Sequence, residues 1–264
     1  MGLEVMSATL IRMYGMQSVE NIERATVAAV SPEEVQELDG WLLAFDRGTI
    51  GRAQCAAPLA HLACDLRVIE QIEAQYATRG LPAVFRLATN ACFDALRWEL
   101  EQRGYAAAKP TWVQTATVQA MRRVTDEPMA EVDQTPDAAW TALFLGEGFD
   151  PVDGASRVDS LSRSPSNVYA SVRDAGHTLA GGAASFSHGW ASVHGMRTVL
   201  NQRGRGLAGR VLAGLAQAAL ERDLKQVFLQ VEANNPAAQA LYKKAGFTTA
   251  WIYEYWSKNS IKRC

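Results

Sequence analysis

The chain has 264 residues, 48% of them hydrophobic, with Lys+Arg 26 against Asp+Glu 28 and a net charge of -2. This is enough apolar material for one large domain or two small ones, and the near-neutral balance argues against a dedicated nucleic-acid binder, which is usually basic. No apolar run reaches membrane-spanning length, and the start "MGLEVMSATLIRMYGM" lacks the features of a secretory signal. Cys55, Cys64, Cys92 and Cys264 form no CxxC pair and no metal spacing. They read as reduced thiols of a cytoplasmic protein that holds no metal.

The first clear elements are "GWLLAFD" and "GTIGRAQCAA", two strands around an Asp46-Arg47-Gly48 turn. In "LACDLRVIEQIEAQYATRG", Leu62, Leu66, Ile69, Ile72 and Tyr76 fall on one face, which predicts a helix ending at Gly80. "AVFRLA" then reads as a strand, "NACFDALRWELEQRGY" as a helix and "PTWVQTATVQAM" as a strand. The polar, acidic segment Val124 to Trp140, with two prolines, marks a linker and divides the chain into 1–123 and 124–264.

The same order returns beyond the linker. "NVYASVRD" and "TLAGGAASFSHGWASVHGMRTV" predict strands, with His188 in the turn near Gly189. A glycine loop leads into a helix with Leu207, Val211, Leu215 and Ala219 inward; "QVFLQVE" is a strand, "NPAAQALYKKAGF" a helix and "TTAWIYEYW" a strand. Set side by side, "FRLATN…WELEQRGY" and "LQVEANN…LYKKAGF" each run strand, Asn, helix, Gly-aromatic, strand, as a degenerate internal repeat would.

The loop "RTVLNQRGRGLAG" satisfies two cofactor patterns. Gly204, Gly206 and Gly209 spell GxGxxG, with Glu232 ending the next strand where a dinucleotide fold places its ribose acid. Against that reading, "LNQR" separates the strand from the first glycine, Arg203 and Arg205 crowd the loop, and too little chain follows for a second nucleotide-binding half. No Gly-Lys-Ser/Thr follows, so this is no triphosphate loop. Arg203, Gly206 and Ala208 fill the alternative, Arg/Gln-x-x-Gly-x-Gly/Ala, and "NNPAAQALYKKAGF" follows one helix and one strand later. In these two motifs the chain resembles the GNAT superfamily of N-acetyltransferases, over roughly Thr141 to Trp256 and most closely from Met196 to Phe247.

The resemblance implies an α/β (α+β) protein with mixed, mostly antiparallel central sheets flanked by helices, in two GNAT-like lobes. It implies acetyl-coenzyme A as co-substrate, with the pyrophosphate on the amides of Arg203, Gly204, Arg205, Gly206, Leu207, Ala208 and Gly209. The pantetheine arm is expected along Met196, Arg197 and Thr198 as an added strand. Tyr242 matches the family's general acid, and Asn235 the asparagine beside the cofactor as well as a helix cap. Ser192 stands where some members carry a glutamate base. His194, two residues on and facing the same side, is the expected base, equally readable as a hydrogen-bonded strand histidine. Glu232 and Glu254 are the alternatives, near the expected acceptor channel.

The first copy has lost this chemistry: "AAPLAHLACDL" carries no glycine loop, and Leu100 falls opposite Tyr242. The expected acceptor is a small-molecule or peptide amine, with no nucleic acid or membrane partner and a homodimer left open. A non-catalytic acyl-coenzyme A sensor and a dinucleotide-dependent oxidoreductase are the competing functions.

Overall fold

A computed structural model describes residues 15–258; residues 1–14 of the stretch read for a targeting signal, and Cys264, lie outside the described residues. The first half runs α1 (Gly15–Val30), β1 (Glu34–Leu38), β2 (Trp41–Phe45), a 3-10 turn (Gly51–Ala53), β3 (Ala56–Pro58), α2 (Val68–Ala77), β4 (Val84–Ala88), α3 (Asp94–Gln102), β5 (Ala106–Thr117) and α4 (Val118–Arg122). The second runs β6 (Glu131–Asp133), α5 (Ala138–Ala142), α6 (Pro151–Arg163), β7 (Asn167–Asp174), β8 (His177–Ser187), β9 (Trp190–Thr198), α7 (Leu207–Leu220), β10 (Gln226–Glu232), α8 (Pro236–Lys244) and β11 (Thr248–Ser257).

The strands form one 11-stranded sheet in the order β1-β2-β3-β4-β11-β5-β10-β9-β8-β7-β6. The two sheets expected from the resemblance are therefore a single one. Only β3/β4 and β9/β10 pair in parallel, so the mixed, mostly antiparallel character holds. The halves exchange their last strands. β5 follows α3 in the chain but lies between β11 and β10, whereas β11 follows α8 but lies between β4 and β5. The chain boundary near residue 124 thus does not divide the sheet.

Alternation along the strands sorts the core into two faces. Val227, Leu229 and Val231 of β10 pack with α7 and α8, where Leu207, Val211, Leu215 and Ala219 are buried as their spacing predicts. The intervening Phe228 joins the first half's core with Trp190 and Trp251. α1 crosses β8 and β9 from the other half of the chain. Its Glu23 forms an ion pair with Arg86 of β4, both buried, and the Arg86 guanidinium sits 4.9 Å over the Tyr253 ring. Burial is the largest influence and works against the Arg86 charge, but Glu23, Cys55, Tyr253 and Tyr255 together outweigh it and the pKa is raised.

Several elements differ from expectation. The helix placed over "LACDLRV…" starts only at Val68: Leu62 is 52% exposed, and Asp65 binds Arg67 at the helix entrance. The strand read through Met121 ends at Thr117, whose hydroxyl caps a short helix by accepting from Ala120 N. "GTIGRAQCAA" is largely a turn, with strand only at Ala56–Pro58. The sequence reading has no α1, β1, α5 or α6, and none of β6, which lies within the Val124 to Trp140 segment read as a linker and pairs with β7. His188 does sit in the β8–β9 hairpin turn, at φ 51 beside Gly189.

Candidate active site

β9 and β10 run side by side only briefly. Val227 pairs with Ala191, Phe228 with Ser192 and Leu229 with Val193, and there the ladder stops. Both strands continue, to Thr198 and Glu232, so they part in a V. On the other edge of β9 the register to β8 shifts: Ala183 faces His194, but Gly181 faces Arg197, so β9 carries an extra residue around Gly195 and Met196. Arg197 and Thr198 stay paired with β8 on that side, and among the described residues no strand pairs with Met196, Arg197 or Thr198 on the side facing β10.

The open arm of the V leads to the glycine loop. The amides from Gly204 to Ala208 meet no acceptor among the described residues; the next, Gly209 N, donates to Gly206 O at 3.0 Å. Gly206 is the α7 N-cap at φ 75, a left-handed conformation that strains any side chain, and a Cβ there would stand in open space. The position is therefore glycine because of its backbone and its open approach, not because of a packed neighbour. Gly209, by contrast, packs on Thr125 of the linker. Arg203 donates through Nε to Thr198 O at 3.4 Å, Arg205 binds Gln202, and Arg197 lies 4.4 Å over the Phe149 ring. The amides, the helix dipole and two exposed arginines make an anion cradle.

Tyr242 lies on the α7–α8 face, 7% exposed, with its ring 5.9 Å from that of Phe247. It makes no hydrogen bond among the described residues, and burial pushes its pKa up to about 12, so it keeps its proton at neutral pH. Asn235 caps α8 by accepting from Ala238 N at 3.2 Å, with Pro236 in the first turn.

The opposite face of the V is polar. His194 and Gln230 are the residues just past the last pair on their strands, and one side chain bridges them. Arg52 donates through Nη1 to Gln230 Oε1 at 3.1 Å and to His194 Nδ1 at 3.4 Å. A guanidinium can only donate, so the neutral His194 ring carries its proton on Nε2 and gives it to Ser192 Oγ at 2.8 Å. His194 is 3% exposed, and burial, then Arg52, hold its pKa well below 6.5. Both nitrogens are engaged and the ring is weakly basic, which gives the expected base the surroundings of the hydrogen-bonded strand histidine. Gln230 is fixed in turn: Oε1 also accepts from the Tyr253 hydroxyl at 3.2 Å, and Nε2 donates to Thr26 Oγ1 at 3.1 Å.

Arg52 comes from the first half and is presented by the Gly51–Ala53 turn. A Cβ on Gly51 would press on the Tyr255 ring at 3.1 Å, so glycine lets the turn lie close. The turn's approach docks on α6: Thr49 N donates to Ser156 Oγ and Thr49 Oγ1 to Asp153 Oδ1, both at 2.8 Å, and Arg163 binds Asp46 at 2.6 Å. An open cavity of about 740 Å³ lies between the halves, with Arg52, Arg157, Gln230, Glu232, Tyr253 and Tyr255 in its wall.

Of the expected acceptor residues, Glu232 lines this cavity and Glu254 does not: it alternates with Tyr253 and Tyr255 and points to the other sheet face. Arg52, Gln230, Tyr253 and Tyr255 were missed. No motif marks them, and the cavity exists only because the two halves meet. Among the described residues, no cluster of His, Cys, Asp or Glu is placed to hold a metal, and no helix is long and apolar enough to cross a membrane.

Known proteins are similar to this chain over most of its length. The Uncharacterized N-acetyltransferase YobR of Bacillus subtilis (strain 168) is 26% identical over 247 residues, 91% of this chain and 98% of that protein. A GCN5-related N-acetyltransferase from Kribbella flavida superposes with a TM-score of 0.69 at 15% identity, covering 92% of this chain and 96% of that one. A tandem GNAT protein from the clavulanic acid biosynthesis pathway gives 0.59 at 13% identity, covering 92% and 95%. The family model described as "Probable histone acetyltransferase Rv0428c C-terminal" matches residues 17–256, and the chain belongs to that family, with the GNAT fold of N-acetyltransferases.

Proposed function

We propose that the protein transfers acetyl from acetyl-coenzyme A directly to a primary amine of a small molecule or peptide. The observation that carries this is the V between β9 and β10, with unpaired amides from Gly204 to Ala208 at its open end. Bound acetyl-coenzyme A supplies an activated acetyl group and a thiolate leaving group. The amides of the glycine loop hold its pyrophosphate, with Arg203 and Arg205 close by. The free edge of Met196, Arg197 and Thr198 pairs with the pantetheine arm as an added strand would.

Tyr242, protonated and without a partner, gives its proton to the leaving sulfur. The amine enters through the cavity between the halves, and its proton leaves by way of Glu232 or water. His194 acts as a positioning residue that holds Arg52 at the vertex of the V. Residues 124–264 carry the chemistry, and residues 1–123 supply a wall of the acceptor site.

Calorimetric titration with acetyl-coenzyme A, then free-thiol release across amino acids, polyamines, aminoglycosides and peptide N-termini, tests the proposal. Binding and amine-dependent thiol release are the expected results. Binding with no thiol release against any amine would make the protein an acyl-coenzyme A sensor, and absence of binding would remove the cofactor assignment.

A further inference from the structure

The charges in the cavity wall do not balance, and the imbalance is local. Arg157 is bound to Asp153 at 2.6 Å and Lys258 to Glu73 at 2.6 Å, while Lys109, also in the wall, is exposed to water and has no ion-pair partner among the described residues. Arg52 has no carboxylate partner among the described residues. Its Nη1 meets two neutral acceptors, while Nε and Nη2 donate to nothing there. A guanidinium drawn into a protein wall is costly without an anion, and its planar fork suits a carboxylate held by two parallel bonds. Gln230 and His194 hold its Nη1 without neutralising it.

The opposite charge lies nearby on the same strand. Gln230, which holds Arg52, and Glu232 are two residues apart on one face of β10, about 7 Å by strand geometry. Glu232 lines the cavity, is exposed and has no ion-pair partner among the described residues. An uncompensated cation held by Gln230 and an uncompensated anion two residues along the same strand face, both in the wall of one cavity, complement a zwitterion. Its carboxylate would meet Arg52, and its ammonium would meet Glu232 before losing a proton.

We propose that the acceptor is an amine that also carries a carboxylate, an amino acid or a close analogue, with Arg52 as the residue that selects the carboxylate. This rests on the acetyltransferase reading for the role of the amine, whereas the anion site stands on its own. The single charge of Arg52 suits a monoanion better than a phosphate dianion.

The test uses the full chain and matched probes: amino acids against their C-terminal amides in thiol release, and N-acetyl amino acids against N-acetyl amino amides in calorimetry. The acid forms should be favoured at least about tenfold, a modest gain for a charge-assisted pair. Arg52→Met should abolish that preference, and Arg52→Lys should keep part of it, with thermal melts checking that both variants are folded. Amides equal to acids throughout, a preference that survives Arg52→Met, or inorganic phosphate displacing every carboxylate would each overturn the proposal. Failure of acetyl-coenzyme A to bind would instead strike the acetyltransferase reading, because the N-acetyl acids report on Arg52 without it.

Discussion

The two halves build the same junction and finish it differently. In the second half, parallel β9 and β10 part after Val193 and Leu229, and the amides at the head of α7 are open. In the first, parallel β3 and β4 share the Ala56–Phe85 pair alone, and an imidazole packs among aromatic rings beyond it. The His61 ring lies 5.0 Å from Trp251 and 6.0 Å from Phe93. At the entrance to α2, Arg67 N donates to Asp65 Oδ1 at 2.9 Å, so a resident carboxylate takes an amide of the kind the glycine loop leaves free. Leu100 is fully buried where Tyr242 stands in the other half. The first half thus carries a carboxylate, an imidazole and an apolar residue where the second has open amides, a cleft and a tyrosine.

The largest effect should come from separating the halves. The segment from 124 onward lacks β5, which pairs with both β10 and β11 in the centre of the sheet. It would expose two long strand edges at once. Expressed alone, it should be insoluble or inactive, and adding residues 1–123 in trans should recover folded protein. A soluble, active 124–264 fragment would show that the strand exchange is dispensable and that the halves are independent copies.

The next effect separates Tyr242 from Leu100. Tyr242→Phe should lower turnover by about 10²–10⁴-fold, the usual range for a lost acid, with acetyl-coenzyme A affinity nearly intact. Leu100→Ala should instead cost roughly 2–5 kcal/mol of stability, as for other buried leucines. Equal turnover in Tyr242→Phe, with chemistry shown to be rate-limiting, would remove Tyr242 from the mechanism.

A third effect contrasts the two cradles. Gly206→Val places a branched side chain at φ 75, a strain of order 1–3 kcal/mol, and obstructs the approach to the open amides. Coenzyme A affinity should fall sharply in a protein that remains folded, whereas Asp65→Ala should leave titration unchanged at one site per chain. Two equivalent sites in the parent chain would mean that the first half binds the cofactor after all.

How much of this was legible in the sequence depends on whether a residue's partner is near it in the chain. The glycine loop, the Asn235 cap and the Tyr242 helix are local patterns, and the structure places them where their motifs imply. α1 escaped because Glu23 and Thr26 interrupt its apolar face; both are buried, against Arg86 and Gln230, partners more than 60 residues away. α6 carries few apolar residues, with Gly154, Ser160 and Leu161 as its buried positions. The exchange of β5 and β11 was invisible because alternation tells which residues face the core but not which strand lies alongside. Arg52 had no signal at all, since its meaning comes from His194 and Gln230, 142 and 178 residues away.

The smallest effect concerns the plug itself. His61 is packed against Trp251 and Phe93, and Asn90 Nδ2 lies 3.2 Å from its Nδ1. Burial, with a smaller push from Arg86, lowers its pKa from 6.5 to about 4. The unfolded chain takes up a proton as pH falls through 6.5, while the folded ring refuses it until about pH 4. The neutral plug therefore contributes fully above pH 6.5 and loses ground through the window below, by at most about 3.4 kcal/mol at 1.36 kcal/mol per pH unit. His194 in the other half, also held neutral, adds a loss of the same sign. Denaturant melts between pH 7 and pH 4 should thus show a slope that His61→Phe reduces but does not abolish, with the remainder belonging to His194 and the carboxylates. An unchanged slope in a folded His61→Phe would mean that water reaches the ring, and that the cleft of the first half is open rather than filled.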